Sequence, residues 1–137
     1  MSNVRVLVSD KLAEAGLRVL REAPGVELEF RPGMSEDELC SVIGEYDGLI
    51  IRSATQVTPR VVEEAHKLRV VGRAGIGVDN VDIPVASRRG IIVMNTPTGN
   101  ATTTAEHAIT LMLSIARKIP QAVGSMRAGK WEKSKFQ

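Results

Sequence analysis

The stretch Val70-Val71-Gly72-Arg73-Ala74-Gly75-Ile76-Gly77-Val78-Asp79-Asn80-Val81-Asp82 decides the fold class. Its first residues form a short apolar run without polar alternation, the pattern of a strand buried on both faces. An arginine closes the run and a glycine-bearing turn follows. Asp82 is then placed to cap a short helix ending at Gly90. Strand, turn and helix in that order make one βα unit, and Ile91–Met94 supplies the next strand.

Working toward the N-terminus, the same alternation holds. Val4–Val8 reads as a first strand and Lys11–Glu22 as a helix, with Leu12, Ala15 and Val19 on one side and Leu17 and Leu20 nearby. Pro24-Gly25 turns the chain into a second strand, Val26–Phe30. Ser35 and Glu38 have capping-box spacing and open a helix to about Glu45. Gly48–Ile51 is a third strand. Thr58-Pro59, an N-cap followed by proline, opens a helix to about His66, before the fourth strand Val70–Gly72. Successive βα units with apolar strands predict an α/β fold: a five-stranded parallel sheet, helices on both faces, in flavodoxin-like order.

The organisation changes after Asn95. Thr96–Asn100 reads as a linker, and Thr103 with Glu106 as a second capping box opening a helix to about Ile119, stopped by Pro120. That helix is apolar nearly all round, so it calls for partners on several sides. A polar tail, Gly124 to Gln137, carries Trp131 and Phe136, half of the chain's four aromatics, among Lys130, Lys133 and Lys135. Aromatic anchors with a basic rim predict a subunit contact.

In an open α/β sheet, ligands bind beyond the carboxyl ends of the strands. The residues just after the third, fourth and fifth strands are Arg52, Arg73 and Asn95. If those strands are neighbours, the groups lie about 5 Å apart per strand step. Two guanidiniums and an amide then face one crevice, suited to carboxylate or phosphate. The plain alternative is that each arginine snorkels or pairs with a surface acid. Gly75 and Gly77 resemble the start of a dinucleotide fingerprint, but Asn80 stands at the third glycine position and no long helix follows at once. Asp10, after the first strand, fits a phosphoacceptor only with an acid after the third strand, where Arg52 stands instead. His66 closes a short helix, His107 opens the last one as a neutral, packed ring, and Cys40 reads as a small core residue. No cluster has metal-ligand spacing.

Composition narrows the classes further. Hydrophobic residues make up 43%, charged residues 25% and aromatics 3%, which describes a globular chain with an aliphatic core. A net charge of +2 with no dense basic run gives no footprint for nucleic acid or a membrane surface. The single cysteine excludes an intrachain disulfide and fits a reducing, cytoplasmic setting. Met1–Arg5 opens no signal-peptide pattern.

The runs Arg52–Thr58, Val70–Asp82 and Met94–Asn100, together with Ala105-Glu106-His107 and the tail Gly129–Phe136, resemble the D-isomer-specific 2-hydroxyacid dehydrogenases, in their D-3-phosphoglycerate dehydrogenase branch. The resemblance runs in order along the whole chain. It implies a substrate-binding domain over 1–98. It also implies the first helix and arm of a Rossmann-type nucleotide-binding domain over 99–137, which this chain does not complete. It implies NAD as cofactor and a small phosphorylated 2-hydroxy acid as substrate, oxidised from 3-phosphoglycerate to 3-phosphohydroxypyruvate at the entry to serine biosynthesis. Substrate contacts fall to Arg52, Ser53, Arg73, Gly75, Ile76 and Asn95, and cofactor contacts to Ile76 and His107. Trp131, Lys133 and Lys135 fall at the contact of a homodimer or homotetramer. The glycine fingerprint and the catalytic Arg, Glu and His would lie after Gln137, so no catalytic residue is expected here and residues 1–137 alone are expected to be inactive. A glyoxylate or hydroxypyruvate reductase is the alternative within the family, and an NAD-sensing corepressor-like binding protein the alternative outside catalysis.

Overall fold

The computed structural model describes residues 3–136. Strands β1 (Val4–Val8), β2 (Val26–Phe30), β3 (Gly48–Ile51), β4 (Val70–Arg73) and β5 (Ile92–Asn95) form one parallel sheet in the order β2-β1-β3-β4-β5. This is the predicted flavodoxin-like order. The chain divides into two compact units, Met1–Gly99 and Asn100–Gln137.

Helices α1 (Glu14–Arg21), α2 (Glu36–Val42), α3 (Pro59–Glu64) and α4 (Ile83–Arg88) connect the strands, a 3-10 turn at Ile43–Glu45 extending α2. Right-handed crossovers decide where they lie. The step from β1 to β2 runs one way across the sheet and every later step runs the other way, so α1 covers one face and α2, α3 and α4 the opposite one. The larger core sits beneath those three: Leu7, Leu49, Ile51 and Val71 of the sheet pack with Leu39, Ile43, Val61, Val62 and Ala86. Cys40 packs against this cluster. Leu17 of α1 is buried outside it. Coverage of the sheet is therefore less even than the apolar strands suggested. On the α1 face of β5, Ile92 and Met94 are exposed, while Val93 packs against the core.

The predicted caps form. Ser35 Oγ accepts from the Glu38 amide at 3.3 Å while Glu38 Oε2 accepts from the Ser35 amide at 2.7 Å. Thr58 caps α3 ahead of Pro59, and Asp82 Oδ1 accepts from the Val85 amide at 3.0 Å. The first helix is shorter than predicted: Lys11–Ala13 precede it, and Val19, placed on its apolar side, is exposed.

In the second unit, α5 (Ala101–Ala116) starts before Thr103 and ends before Ile119. The Asn100 carbonyl accepts from the Thr104 amide at 2.9 Å, which puts Thr103 and Glu106 inside the helix and removes the predicted capping box. Lys118, at φ 50°, interrupts the helical path. Pro120 then lies in the first turn of a further helix, α6 (Ile119–Arg127), rather than ending α5. Part of the predicted tail is thus helical, and it closes on a 3-10 turn, Lys133–Phe136. Gln137 lies outside the described residues.

Candidate functional site

Parallel register builds the site. Ile51 of β3 pairs with Arg73 of β4, and Arg73 pairs with Asn95 of β5, so the strand ends bearing Arg52, Arg73 and Asn95 are neighbours. Paired residues share a face, so the Arg73 stem leaves on the side of buried Ile51. Arg52, one residue beyond β3, borders a different set of neighbours, Asp10, Lys11 and Gly33.

Arg52 opens the connection from β3 to α3, and that connection is fixed from two directions. Asp10, directly after Ser9 and only 4% exposed, accepts through Oδ2 from the Arg52 amide at 2.6 Å and the Thr55 amide at 3.2 Å. Asn80, also buried, donates from Nδ2 to the Arg52 carbonyl at 2.8 Å and the Thr55 carbonyl at 2.7 Å. The hydroxyls of Ser9 and Thr55 lie 2.9 Å apart, both buried. A short parallel bridge between Val57 and Val81 continues the tie. The Arg52 and Ser53 side chains are exposed and line a pocket of about 250 Å³ with Asp10, Lys11, Gly33 and Ala54. Arg52 and Lys11 outnumber the one carboxylate, Asp10, whose Oδ2 is taken up by two backbone amides, so the lining favours an anion.

Arg73 belongs to a second cluster. Its guanidinium lies beside Gly75, its Nε buried without a hydrogen-bond partner among the described residues. The loop carrying Gly75 and Ile76 is docked on the end of β5. The Gly75 carbonyl accepts from the Thr96 amide at 2.9 Å, and the Ile76 carbonyl accepts from Asn95 Nδ2 at 2.6 Å. The structure thus groups Arg73, Gly75, Ile76 and Asn95 on one side and Arg52 with Ser53 on the other. Asn80, at the far end of the Gly75 loop, joins them.

Sequence reasoning set Asp10 aside and used Asn80 only to reject a fingerprint. Both proved to hold the turn that carries Arg52. The available signal was a buried-type position after a strand filled by a short polar side chain. Lys11, read as helical, is the other residue missed: it precedes α1 and lines the Arg52 pocket.

In the second unit, His107 lies inside α5 rather than in its first turn and is exposed, which corrects its reading as a packed ring. Trp131 and Lys133 line a pocket of about 470 Å³ with Ile119, Met126 and Phe136. Lys135 donates to Glu132 at 2.5 Å, and Ser125 donates to the same carboxylate at 2.9 Å; these bonds hold the Glu132 carboxyl below the usual glutamate range. Among the described residues, no group of His, Cys, Asp and Glu could hold a metal ion, and no helix is long and apolar enough to cross a membrane.

The family model for the D-isomer specific 2-hydroxyacid dehydrogenase catalytic domain matches residues 6–132. The chain belongs to that family. Within it, the chain is 47% identical over 133 residues to a D-3-phosphoglycerate dehydrogenase of Archaeoglobus fulgidus, covering 97% of this chain and 25% of that protein. It is 47% identical to the human D-3-phosphoglycerate dehydrogenase over 96% of this chain and 25% of that one. Among solved structures, the NAD+-bound 3-phosphoglycerate dehydrogenase of Entamoeba histolytica matches at a TM-score of 0.74 and 28% identity, over 85% of this chain and 40% of that chain. The chain spans about a quarter of the length of the curated relatives it matches.

Proposed function

We propose that this chain is the substrate-binding part of an NAD-dependent D-3-phosphoglycerate dehydrogenase. The reaction oxidises the secondary alcohol of 3-phosphoglycerate to the ketone of 3-phosphohydroxypyruvate, the first step of serine biosynthesis. The hydride passes to the nicotinamide and the hydroxyl proton to a base. The observation that carries the reading is the paired register of Ile51 with Arg73, which sets two arginine-bearing loops at adjacent strand ends. Names of the relatives over nearly the whole of this chain support the substrate.

Arg52, Ser53 and Arg73 hold the phosphate and carboxylate, by the bidentate geometry of guanidinium toward such groups. The backbone of Gly75 and Ile76, fixed by Asn95, faces the reacting carbon; by the family resemblance Ile76 and, separately, His107 are assigned cofactor contacts. The residues here do not fit a pyrophosphate: after Gly77 the chain reaches only the six-residue α4, which begins at Ile83. We therefore assign the dinucleotide cradle and the acid–base groups to parts of the enzyme outside this chain. Residues 1–98 serve as substrate-binding domain and 99–137 as the start of the nucleotide-binding domain. Exposed Ile109, Leu111, Met112, Leu113 and Trp131 support association as a homodimer or homotetramer, with Trp131, Lys133 and Lys135 at the contact; the cytoplasm is the location we assign to it.

The test is NADH formation by the full-length gene product with 3-phosphoglycerate and NAD. Turnover supports the reading. Absence of it, with good reduction of glyoxylate or hydroxypyruvate, would move the enzyme to the reductases of the family. NAD binding without turnover of any 2-hydroxy acid would replace catalysis by sensing.

A further inference from the structure

We infer that Asp10 and Asn80 are positioning residues that set the Arg52 side chain for its anion, an inference that rests on the substrate-binding role proposed above for Arg52. The geometry is reciprocal. One carboxylate oxygen of Asp10 takes the amides of residues 52 and 55, and one amide nitrogen of Asn80 serves the carbonyls of the same two residues. The loop is held at both ends of the turn that carries Arg52 and Ser53, on its donor side by one strand end and on its acceptor side by the loop after β4. Both holding groups are buried, at 4% and 6% exposure, so water does not readily substitute for either. Asp10 accepts two hydrogen bonds as a carboxylate, stronger than neutral ones. The guanidinium itself is exposed and has no acidic partner among the described ion pairs. Its aim therefore depends on its backbone, and its backbone depends on these two side chains.

Asn80 also links the two halves of the site. It lies on the loop that begins with Arg73 and Gly75, so a shift of that loop is passed to Arg52 through two hydrogen bonds. The relative placement of the two arginines, and hence the length of anion they span, is set by this contact.

The experiment uses the full-length enzyme and the variants Asp10→Asn, Asp10→Ala and Asn80→Ala, alone and combined with Arg52→Ala. Hydrogen exchange of the peptide covering 52–55 is read beside KM and kcat. Each Asp10 variant speeds exchange at the 52 and 55 amides, and Asp10→Ala raises KM about tenfold with a smaller change in kcat. Asp10→Asn, which keeps an acceptor oxygen, recovers part of the loss. Added to Arg52→Ala, Asp10→Ala raises KM by much less than it does alone, the remainder acting through Ser53 on the same turn. A full additional rise in KM, or faster exchange spread over the whole sheet, overturns the inference in favour of a general structural role. If the wild type turns over a different 2-hydroxy acid, only the substrate assignment falls and the variants are read with that acid. If it turns over none, exchange decides, and unchanged protection at 52 and 55 overturns the clamp.

Discussion

The guanidinium of Arg73 occupies the space a side chain on Gly75 would need: a Cβ there would come within 2.2 Å of an Arg73 terminal nitrogen. The obstructing atoms belong to the end of a flexible side chain, so Gly75→Ala is relieved by moving Arg73 rather than the backbone. The expected outcome is an enzyme with nearly wild-type thermal stability and a KM raised as far as in Arg73→Ala. Melting curves beside steady-state kinetics check it. A variant that keeps the wild-type KM would show that the seat of Arg73 is irrelevant to binding.

Loss of either arginine removes a charge-assisted contact worth roughly 1.5–3 kcal/mol of substrate binding. Because Arg73 ends β4, Arg52 follows β3, and both meet one substrate with Asn80 tying their segments, the double alanine variant should lose more than either single variant but not the full sum. Lys11→Ala should weaken binding by less than either, since an exposed ammonium contributes about 1 kcal/mol at most. Calorimetric titration with substrate measures all three. Unchanged affinity in both single arginine variants would reduce the pair to a structural role.

The capping box at α2 gives a pH-dependent prediction. Glu38 is held below the ordinary glutamate range, first by the Ser35 amide and then by the Ser35 hydroxyl. The folded state therefore releases this proton more readily than the unfolded one. The stabilisation is present above the ordinary glutamate range and is lost as pH falls through the lowered value. Ser35→Ala should lower the melting temperature at neutral pH, and the gap to wild type should narrow in acid. A gap independent of pH would assign the effect to the hydroxyl's cap on the Glu38 amide rather than to its bond with the Glu38 carboxylate.

Association is the fourth expectation. Ile115 of α5 is 75% exposed and Trp131 78% exposed. Sedimentation of the 137-residue chain should show a dimer, with Trp131 fluorescence protected from an aqueous quencher. A monomer at high concentration with a freely quenched Trp131 would remove the second unit from the interface.

The strands were legible because each apolar run is bounded by residues with a definite turn role, such as Pro24-Gly25 or Thr58-Pro59. Helix starts were legible where a side chain closes a local hydrogen bond, as at Ser35, Thr58 and Asp82. Pro120 was ambiguous, since proline both terminates a helix and fits the first turn of the next; the left-handed Lys118 settles which, and nothing local announces it. The arginines could be read from strand ends alone. That they border separate sets of neighbours, Arg73 at Gly75 and Arg52 at Asp10 and Lys11, needed the folded loops. The role of Asp10 needed more still: the expected order already put β1 beside β3, but which amides its carboxylate meets depends on the path of residues 52–55, which local pattern does not encode.

The two borders of the sheet differ in a way that matters for handling this chain. Along β2, Glu27 puts a charge on the open edge and Glu29 stands in ion pairs with Arg5 and Arg31, so an approaching strand would have to desolvate charged groups. Along β5, Ile92-Val93-Met94-Asn95 carries no charge and no proline, and two of its side chains stand in solvent. An edge of that composition is a template for edge-to-edge pairing, so self-assembly into aggregates would nucleate at β5 and leave β2 free.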